Sequence, residues 1–104
     1  AEIYVHEGAD GAADGFIGLQ GDLIAGLFVR EAARGKGIGR SLLDHALKLN
    51  KDVCLRLCVY EKNERARRFY ARAGFQVCAE GVDAASGERE LIMTHSPLFM
   101  AETL

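Results

Sequence analysis

The chain has 104 residues, 49% of them hydrophobic and 27% charged, which is typical of one compact α/β domain. We therefore predict a single domain over residues 1–104. A formal net charge of −2 provides no general basic surface, so a nucleic-acid partner is not expected. No apolar run reaches the length of a membrane span and no signal peptide is visible, so a membrane partner is not expected either.

The chain contains three cysteines, Cys54, Cys58 and Cys78. An odd number of cysteines cannot all pair, so a disulfide framework is not expected. The three histidines are scattered, so no metal site is predicted. We expect the cysteines to be buried free thiols. Such thiols imply a reducing compartment, and we predict a cytoplasmic location.

Three strands and a helix are predicted in the first half of the chain. Residues 3–7 alternate in character, and residues 16–20 pair back with them as a hairpin. The apolar run 23–29 is typical of a strand buried on both faces, and Gly26 within it indicates a bulge or a close approach by another group. The helix that follows has one apolar face, formed by Ile38, Leu42, Leu43, Ala46 and Leu47.

The second half is predicted as strand, helix and hairpin. Residues 53–59 form a strand with alternating faces, and residues 64–73 form a helix with Asn63 as N-cap and Gly74 at its left-handed end. Residues 75–80 and 88–95 form the final hairpin. The predicted order is β-β-β-α-β-α-β-β, an α/β (α+β) fold with a mixed central sheet and a strand–helix–strand crossover.

Residues 34–40, the glycine loop, read Arg-Gly-Lys-Gly-Ile-Gly-Arg between a strand and a helix. The first N–H groups of a helix lack intrahelical partners, its dipole places positive charge there, and glycines let a ligand approach the backbone. We interpret the loop as a phosphate site supported by Arg34, Lys36 and Arg40; a flexible loop with solvated charges is the alternative. The Walker pattern is absent, and the third glycine comes one residue too early for the dinucleotide pattern.

The loop matches Arg/Gln-x-x-Gly-x-Gly/Ala, the signature of the GNAT superfamily of N-acetyltransferases, through Arg34, Gly37 and Gly39. A second pattern of that family, Asn-x-x-Ala-x-x-Phe-Tyr-x-x-x-Gly-Phe, is matched by Asn63, Ala66, Phe69, Tyr70, Gly74 and Phe75. With both motifs in the expected order, the whole chain resembles this superfamily. The resemblance implies the acyl-CoA N-acyltransferase fold.

The resemblance also implies a function: transfer of an acetyl group from acetyl-CoA to a primary amine of a small molecule or peptide, by direct attack. The pantetheine arm would pair with the backbone of Leu27, Phe28 and Val29, and the N–H of Phe28 would polarise the thioester carbonyl. The pyrophosphate would be bound by Arg34, Gly35, Lys36, Gly37, Ile38, Gly39, Arg40 and Ser41.

Three further roles are implied in the second motif. Asn63 would reach the cofactor arm, Phe69 would pack under the cofactor, and Tyr70 would act as general acid toward the departing thiolate. Tyr70 as a plain core aromatic is the alternative. An acyl-cysteine route through Cys54 or Cys58 is disfavoured, because no histidine is obviously paired with either. The general base is unassigned among His6, Glu7, Glu61 and His95.

Two departures from the family pattern stand out. Glu31 replaces a proline usual two residues after the strand valine, which should change the stiffness of the loop. The strand and helices that relatives carry before the first hairpin are not seen, so we expect an N-terminally shortened form. The edge of the first strand would then lack a partner, which predicts a homodimer. A non-catalytic acyl-CoA-binding module is the alternative function.

Overall fold

The computed structural model describes residues 2–95, which form six strands, two α-helices and one short 3-10 turn. The elements follow the predicted order, so that prediction is confirmed. The chain divides into two compact units, Ala1–Lys51 and Asp52–Leu104, each with three strands and one α-helix.

The first unit is an antiparallel meander covered on one face by a helix. Its strands are β1 (Glu2–Glu7), β2 (Ala13–Gln20) and β3 (Leu23–Val29), with β2 paired to both neighbours. The helix α1 (Ile38–Leu49) buries the apolar stripe that its spacing predicts. The core includes Ile17, Leu19, Ile24, Leu42, Leu43 and Ala46.

The prediction that β3 is buried on both faces is wrong. Of its residues only Ile24 is fully buried, and Phe28 is 61% exposed. Gly15 opposes Val29 and faces α1, since a Cβ there would touch Ile38 and Leu42. Successive strand residues point to opposite faces, so Phe28 lies on the face that α1 does not cover. An apolar run alone does not reveal which of its faces the fold covers.

The second unit is a three-stranded antiparallel sheet with β6 at its centre. The strands are β4 (Leu55–Tyr60), β5 (Gln76–Val82) and β6 (Arg89–His95), and α2 (Glu64–Arg72) joins the first two. The alternation predicted for β4 is confirmed, with one buried face. That face contributes Leu55, Leu57 and Val59 to a core with Phe75, Leu91 and Met93.

The cysteines are less buried than expected. Cys58 and Cys78 are exposed free thiols, and Cys54 is half-buried. Cys58 lies on the exposed side of the alternating strand β4, and Cys78 lies on β5, every residue of which is exposed. The place of the residue in the sheet, and not the hydrophobicity of the thiol, thus decides the burial. The predicted burial is therefore wrong.

Neither helix within residues 2–95 combines the length and apolar character that crossing a bilayer requires. Over the same residues, no three His, Cys, Asp or Glu side chains are grouped so that they could hold a metal ion.

Candidate functional site

The glycine loop links β3 to α1 through backbone conformations that favour glycine. A 3-10 turn, Glu31–Ala33, follows β3, and Arg34 then continues in extended conformation. Gly35 and Gly37 have φ values of 82° and 76°, in the left-handed region. A Cβ at either position would meet no atom within 4 Å, so the loop backbone is accessible there.

The first turn of α1 contains no acidic residue. The Ser41 N–H donates to the Gly37 carbonyl at 3.0 Å. The N–H groups of the helical residues before Ser41 have no partner within the helix, because the carbonyls one turn earlier lie outside it. In the described part of the chain, no side chain caps this helix at Gly37. An anion is therefore the ligand that this end of α1 favours.

The three basic residues of the loop are exposed but differ in their contacts. Arg34 Nε lies 3.4 Å from the Val29 carbonyl oxygen, and Arg40 Nε donates to Asp44 Oδ1 at 2.9 Å. The Arg40–Asp44 pair joins successive turns on the helix surface, where such pairs contribute only about 0.3–0.5 kcal/mol. An incoming phosphate can therefore compete for Arg40 at low cost, and Lys36 completes the cationic set.

The hydrogen-bond register between β2 and β3 decides which backbone groups of β3 are bonded to β2. The Arg30 N–H donates to the Asp14 carbonyl at 2.7 Å, and hydrogen-bonded pairs alternate along an antiparallel ladder. Phe28 precedes Arg30 by two residues and lies opposite Phe16, so it belongs to the next hydrogen-bonded pair and its N–H is directed toward β2. The N–H groups of Leu27 and Val29 are directed away from β2. The Val29 carbonyl accordingly accepts from Arg34 rather than from β2.

The second motif shapes both ends of α2. Asn63 is its N-cap, as predicted, and its Oδ1 accepts from the Ala66 N–H at 3.2 Å. Gly74 ends the helix with φ of 99°, and the Phe75 N–H bonds back to the Tyr70 carbonyl at 3.0 Å. Much of this motif therefore has a structural role, since it starts and stops one helix.

Tyr70 lies in an aromatic cluster of the second unit. Its ring is 5.1 Å from that of Phe69 and 5.7 Å from that of the buried Phe75, both edge-on. Burial raises the pKa of the Tyr70 phenol above its ordinary value. The phenol is therefore protonated throughout the neutral range, as a proton donor must be. Packing and proton donation are compatible here.

The candidates for a general base have separate surroundings. His6 Nδ1 lies 2.7 Å from Oδ1 of Asp14, whose residue is only 6% exposed. Glu61 pairs with Arg89 at 3.2 Å, and the His95 ring centroid lies 5.2 Å from that of Phe75 in a tilted arrangement. The buried Asp14 beneath His6 is a feature that the sequence did not reveal, because a β-bulge after His6 places it there.

An open cavity of about 490 Å³ lies beside the N-terminus of α2 and is lined by Glu61, Lys62, Glu64, Arg67, Gly87, Glu88 and Arg89. Its charges are matched within the cavity, as in the Lys62–Glu88 contact of 2.9 Å. The Arg67 Nε is buried without a hydrogen-bond partner in the described residues. Matched charges leave no net preference for an ion of either sign.

The predicted site residues fall into two groups. Those from Leu27 to Ser41 lie in the unit Ala1–Lys51, where the chain brings them together as one strand end, loop and helix start. Asn63, Phe69 and Tyr70 lie on or beside α2, in the unit Asp52–Leu104.

Comparison with known proteins gives consistent matches. A family model described as an acetyltransferase (GNAT) domain matches residues 1–77. Peptidyl-lysine N-acetyltransferase YjaB of Escherichia coli (strain K12) is 40% identical over 63 residues, 61% of this chain and 42% of YjaB. The 5-NmdU N-acetyltransferase of Pseudomonas phage PaMx11 is 39% identical over 54 residues, 52% of this chain and 39% of that protein. The matched segment thus spans about two-fifths of these relatives.

Solved structures agree with the fold. The solution structure of apo YjaB from Escherichia coli has a TM-score of 0.77 at 31% identity, covering 91% of this chain and 65% of that chain. Nourseothricin acetyltransferase has a TM-score of 0.75 at 28% identity, covering 89% of this chain and 63% of that chain. Chaetomium thermophilum Naa20 in complex with a bisubstrate analogue has a TM-score of 0.79, covering 95% of this chain and 67% of that chain. Its identity is 21%, so this likeness supports the fold alone. The predicted fold class is confirmed.

Proposed function

Because this chain belongs to the GNAT acetyltransferase family, we propose that it binds acetyl-CoA and catalyses transfer of the acetyl group to a primary amine of a small molecule or peptide. The proposal is supported most strongly by the start of α1, where left-handed glycines, a first turn without acidic residues and three exposed cations would together bind an anion. The relatives named for peptidyl-lysine and 5-NmdU N-acetylation favour an amine acceptor.

The residues present fit a diphosphate. The accessible backbone at Gly35 and Gly37 and the first N–H groups of α1, from Ile38 through Gly39, would bind phosphate oxygens. Ser41 is exposed one turn into the helix, where its hydroxyl could add a donor. The cations Arg34, Lys36 and Arg40 would neutralise the charge. Acetyl-CoA would supply the acetyl group as a thioester.

The end of β3 would hold the pantetheine arm. The backbone groups of Leu27 and Val29 that point away from β2 would be the ones to pair with amides. We therefore assign the donor that polarises the carbonyl to the N–H of Leu27 or Val29, in place of Phe28. Asn63 would contact the arm through its amide N–H₂, because its Oδ1 is engaged by the cap, and Phe69 would pack beside the cofactor.

Tyr70 would deliver the proton that the departing sulfur needs. As the neutral amine nitrogen bonds to the acetyl carbon, the carbon–sulfur bond breaks and sulfur would take the phenol proton of Tyr70. The nitrogen would release one proton to solvent, from which the Tyr70 phenolate would regain its own. A phenol with a raised pKa is in the protonated state that this step requires. Cytoplasmic location and a homodimer stay predictions.

Thiol release tests the proposal. Purified protein with acetyl-CoA and a panel of primary amines should liberate free thiol in proportion to the amine acetylated. A protein that binds acetyl-CoA but releases thiol with no amine would instead be an acyl-CoA-binding module. A protein that binds no acetyl-CoA at millimolar concentration would contradict both functions.

A further inference from the structure

Arg67 differs from the other arginines of α2 in its exposure. The remaining three, Arg65, Arg68 and Arg72, are exposed, whereas Arg67 is half-buried. The Arg67 side chain is 35% exposed, against 73% for its neighbour Arg68. Moving a charged group partly out of water costs free energy unless the protein or a ligand provides partners. The position of Arg67 therefore calls for a partner.

The partners that the chain itself offers Arg67 are weak. Its Nη2 lies 3.8 Å from Oε1 of Glu64, which is beyond hydrogen-bond distance. Glu64 also pairs with Arg68, whose Nη2 lies 3.6 Å from Oε2, so Glu64 keeps a cation if Arg67 turns away. The Arg67 Nε is buried and, among the residues that the structure describes, has no hydrogen-bond partner. An acceptor oxygen brought by a ligand would recover the free energy that this unpaired N–H costs.

Arg67 lines the open cavity of about 490 Å³ beside the N-terminus of α2. The two other cations of the lining are engaged at short range. Lys62 Nζ lies 2.9 Å from Glu88 Oε1, and Arg89 Nε lies 3.2 Å from Glu61 Oε2. The charges of the lining balance as a whole, so any attraction for an anion is local. It is centred on Arg67, whose guanidinium has donors to spare.

The helix places Arg67 beside the proposed proton donor. Arg67 and Tyr70 are three residues apart in α2, so they are neighbours on the helix surface. Three residues at about 1.5 Å each separate them by about 4.5 Å along the axis. In the function proposed above, Tyr70 protonates the departing sulfur, so the attacking amine would lie close to it. A group held by Arg67 would then lie a few carbon atoms from that amine.

From these observations, and resting on the proposed function, we propose that Arg67 binds a carboxylate of the acceptor. The acceptors are small amino acids, in which a few carbon atoms separate the amine from the carboxylate. Nε and one Nη of a guanidinium lie side by side in one plane and match the two oxygens of a carboxylate. A doubly charged phosphate would be repelled more strongly by the three glutamates of the lining.

In this role Arg67 determines specificity. Its guanidinium turns from Glu64 into the cavity, and the buried Nε gains the acceptor oxygen that it lacks. No bond of the carboxylate is made or broken. The phosphates of the cofactor are assigned to the start of α1 in the proposed function, so the anion at Arg67 comes from the acceptor.

Three acceptors that share an amine and differ at the other end test the chemistry. They are γ-aminobutyrate, its amide γ-aminobutyramide, and butylamine. With saturating acetyl-CoA, kcat/KM for γ-aminobutyrate should exceed that for the amide about 10- to 100-fold, as expected for hydrogen bonds to a charged group. The amide has nearly the same size and lacks only the charge. Equal kcat/KM for the acid and the amide, or a preference for butylamine, would overturn the proposal.

A pair of arginine substitutions tests the location. Arg67→Met removes the charge and keeps an apolar stem, so kcat/KM for γ-aminobutyrate should fall to that for the amide. Arg67→Lys keeps the charge without the planar fork and should restore only part of the preference. Arg68→Met is the matched control, because Arg68 also pairs with Glu64 but lies outside the cavity lining. It should retain the full preference, and circular dichroism verifies that each variant is folded.

Calorimetry supplies a readout that does not depend on transfer. Titration of γ-aminobutyrate into protein saturated with CoA should give a Kd that Arg67→Met raises about tenfold or more and Arg68→Met leaves unchanged. An equal Kd in the parent chain and Arg67→Met would overturn the assignment to Arg67.

The outcomes separate this inference from the function on which it rests. Thiol release with butylamine, but no preference for γ-aminobutyrate over its amide, would reject carboxylate recognition and leave the function standing. A weaker affinity for acetyl-CoA in Arg67→Met would assign the guanidinium to the cofactor and would reject the inference as well. An absence of acetyl-CoA binding, or of thiol release with every amine, would reject both.

Discussion

Tyr70, the proposed proton donor, is also part of the aromatic packing of the second unit. Its ring is held edge-on by Phe69 and Phe75, which fixes the direction of the hydroxyl. The same burial raises the pKa of the phenol, because a phenolate would lose hydration in the cluster. A residue of this kind can serve as an acid without a specific charge partner.

Replacing Tyr70 by phenylalanine should lower kcat about 10²- to 10⁴-fold, the range typical of a general acid, while acetyl-CoA affinity changes little. Phenylalanine retains the ring contacts, so the variant isolates the hydroxyl. The control is Tyr60→Phe, which removes an exposed hydroxyl bonded to Asp83 at 3.3 Å and should leave kcat unchanged. A large loss of acetyl-CoA affinity in Tyr70→Phe would instead assign Tyr70 to binding.

The pH profile offers a second check on Tyr70. Because its pKa is raised above the ordinary value of 10.0, the alkaline loss of kcat due to Tyr70 should begin only above that pH. The same shift stabilises the folded protein below the pKa of the unfolded chain, and that stabilisation is lost as pH rises through the raised pKa of the folded state. The reason is that the phenol of the unfolded chain releases its proton more easily. In Tyr70→Phe the alkaline limb should vanish; its persistence there would exclude Tyr70 as its source.

Asp83 illustrates a pKa shifted by hydrogen bonds at the surface. The Ser86 hydroxyl donates to Asp83 Oδ2 at 2.7 Å, and the Ser86 N–H donates to the same oxygen at 3.1 Å. These bonds favour the carboxylate and lower its pKa, chiefly through the Ser86 side chain. The stabilisation is present above the pKa of the unfolded chain and is lost as pH falls through that of the folded state.

In Ser86→Ala the pKa of Asp83, followed by NMR titration of its side-chain carbon, should move upward toward its ordinary value. Ser41→Ala, which removes a hydroxyl in the other unit, should leave the Asp83 pKa where it is. An unchanged titration in Ser86→Ala would mean that the backbone bond or Tyr60 dominates the shift.

At the scale of elements, the start of α1 is defined by backbone conformation. Its N-cap is a left-handed glycine with no side chain to bond the first N–H groups. Most helices place Ser, Thr, Asp or Asn at this position, because their side chains satisfy those donors. Leaving the donors unsatisfied costs stability that a bound anion would restore.

Gly37→Ala should destabilise the protein by about 1–2 kcal/mol, the cost of a Cβ in the left-handed region, and should also weaken acetyl-CoA binding. Gly87→Ala is the matched control, since Gly87 has φ of 74° in the turn before β6 and open space around its Cβ. It should lower the Tm similarly but leave the Kd of acetyl-CoA unchanged. Equal Kd values for the two variants would contradict the assignment of the loop.

The packing of α1 on the first sheet gives a stability prediction. Leu43 is fully buried, whereas Leu49 at the end of the same helix is 54% exposed. Leu43→Ala should therefore lower the free energy of unfolding by about 2–5 kcal/mol. Leu49→Ala should change it by well under half as much, as measured by urea denaturation. Similar values for both would mean that α1 does not pack as described.

Elements whose signals are local could be predicted from the sequence, and those that depend on tertiary cover could not. The cap at Asn63, the left-handed Gly74 and the alternation of β4 each follow from short-range rules. The exposure of Phe28 does not, because the run 23–29 is apolar whichever face is covered. The same holds for Cys58, whose exposure depends on which side of β4 it occupies.

Within the candidate site the same division applies. The spacing of the glycines predicted the loop, and the structure gives two of them the left-handed conformations that require glycine. The direction of each N–H in β3 could not be predicted, since it depends on the register with β2, and the register is fixed by the bulge at Gly18. This is why the proposed donor moves from Phe28 to a neighbouring residue.

At the scale of the whole molecule, each compact unit contributes one motif of the family. The glycine loop belongs to Ala1–Lys51, and the segment from Asn63 to Phe75 belongs to Asp52–Leu104. The family match over residues 1–77 includes both motifs. A cofactor bound by the folded chain alone would stabilise it by mass action, so saturating acetyl-CoA should raise the Tm.

The central claim is that acetyl-CoA binds at the start of α1, and isothermal titration calorimetry tests it most directly. Titration of the protein with acetyl-CoA should give one saturable site, displaced by CoA, with affinity weakened in Gly37→Ala and retained in Gly87→Ala. Absence of binding heat at millimolar acetyl-CoA, or tighter binding of ATP or NAD than of CoA, would contradict it.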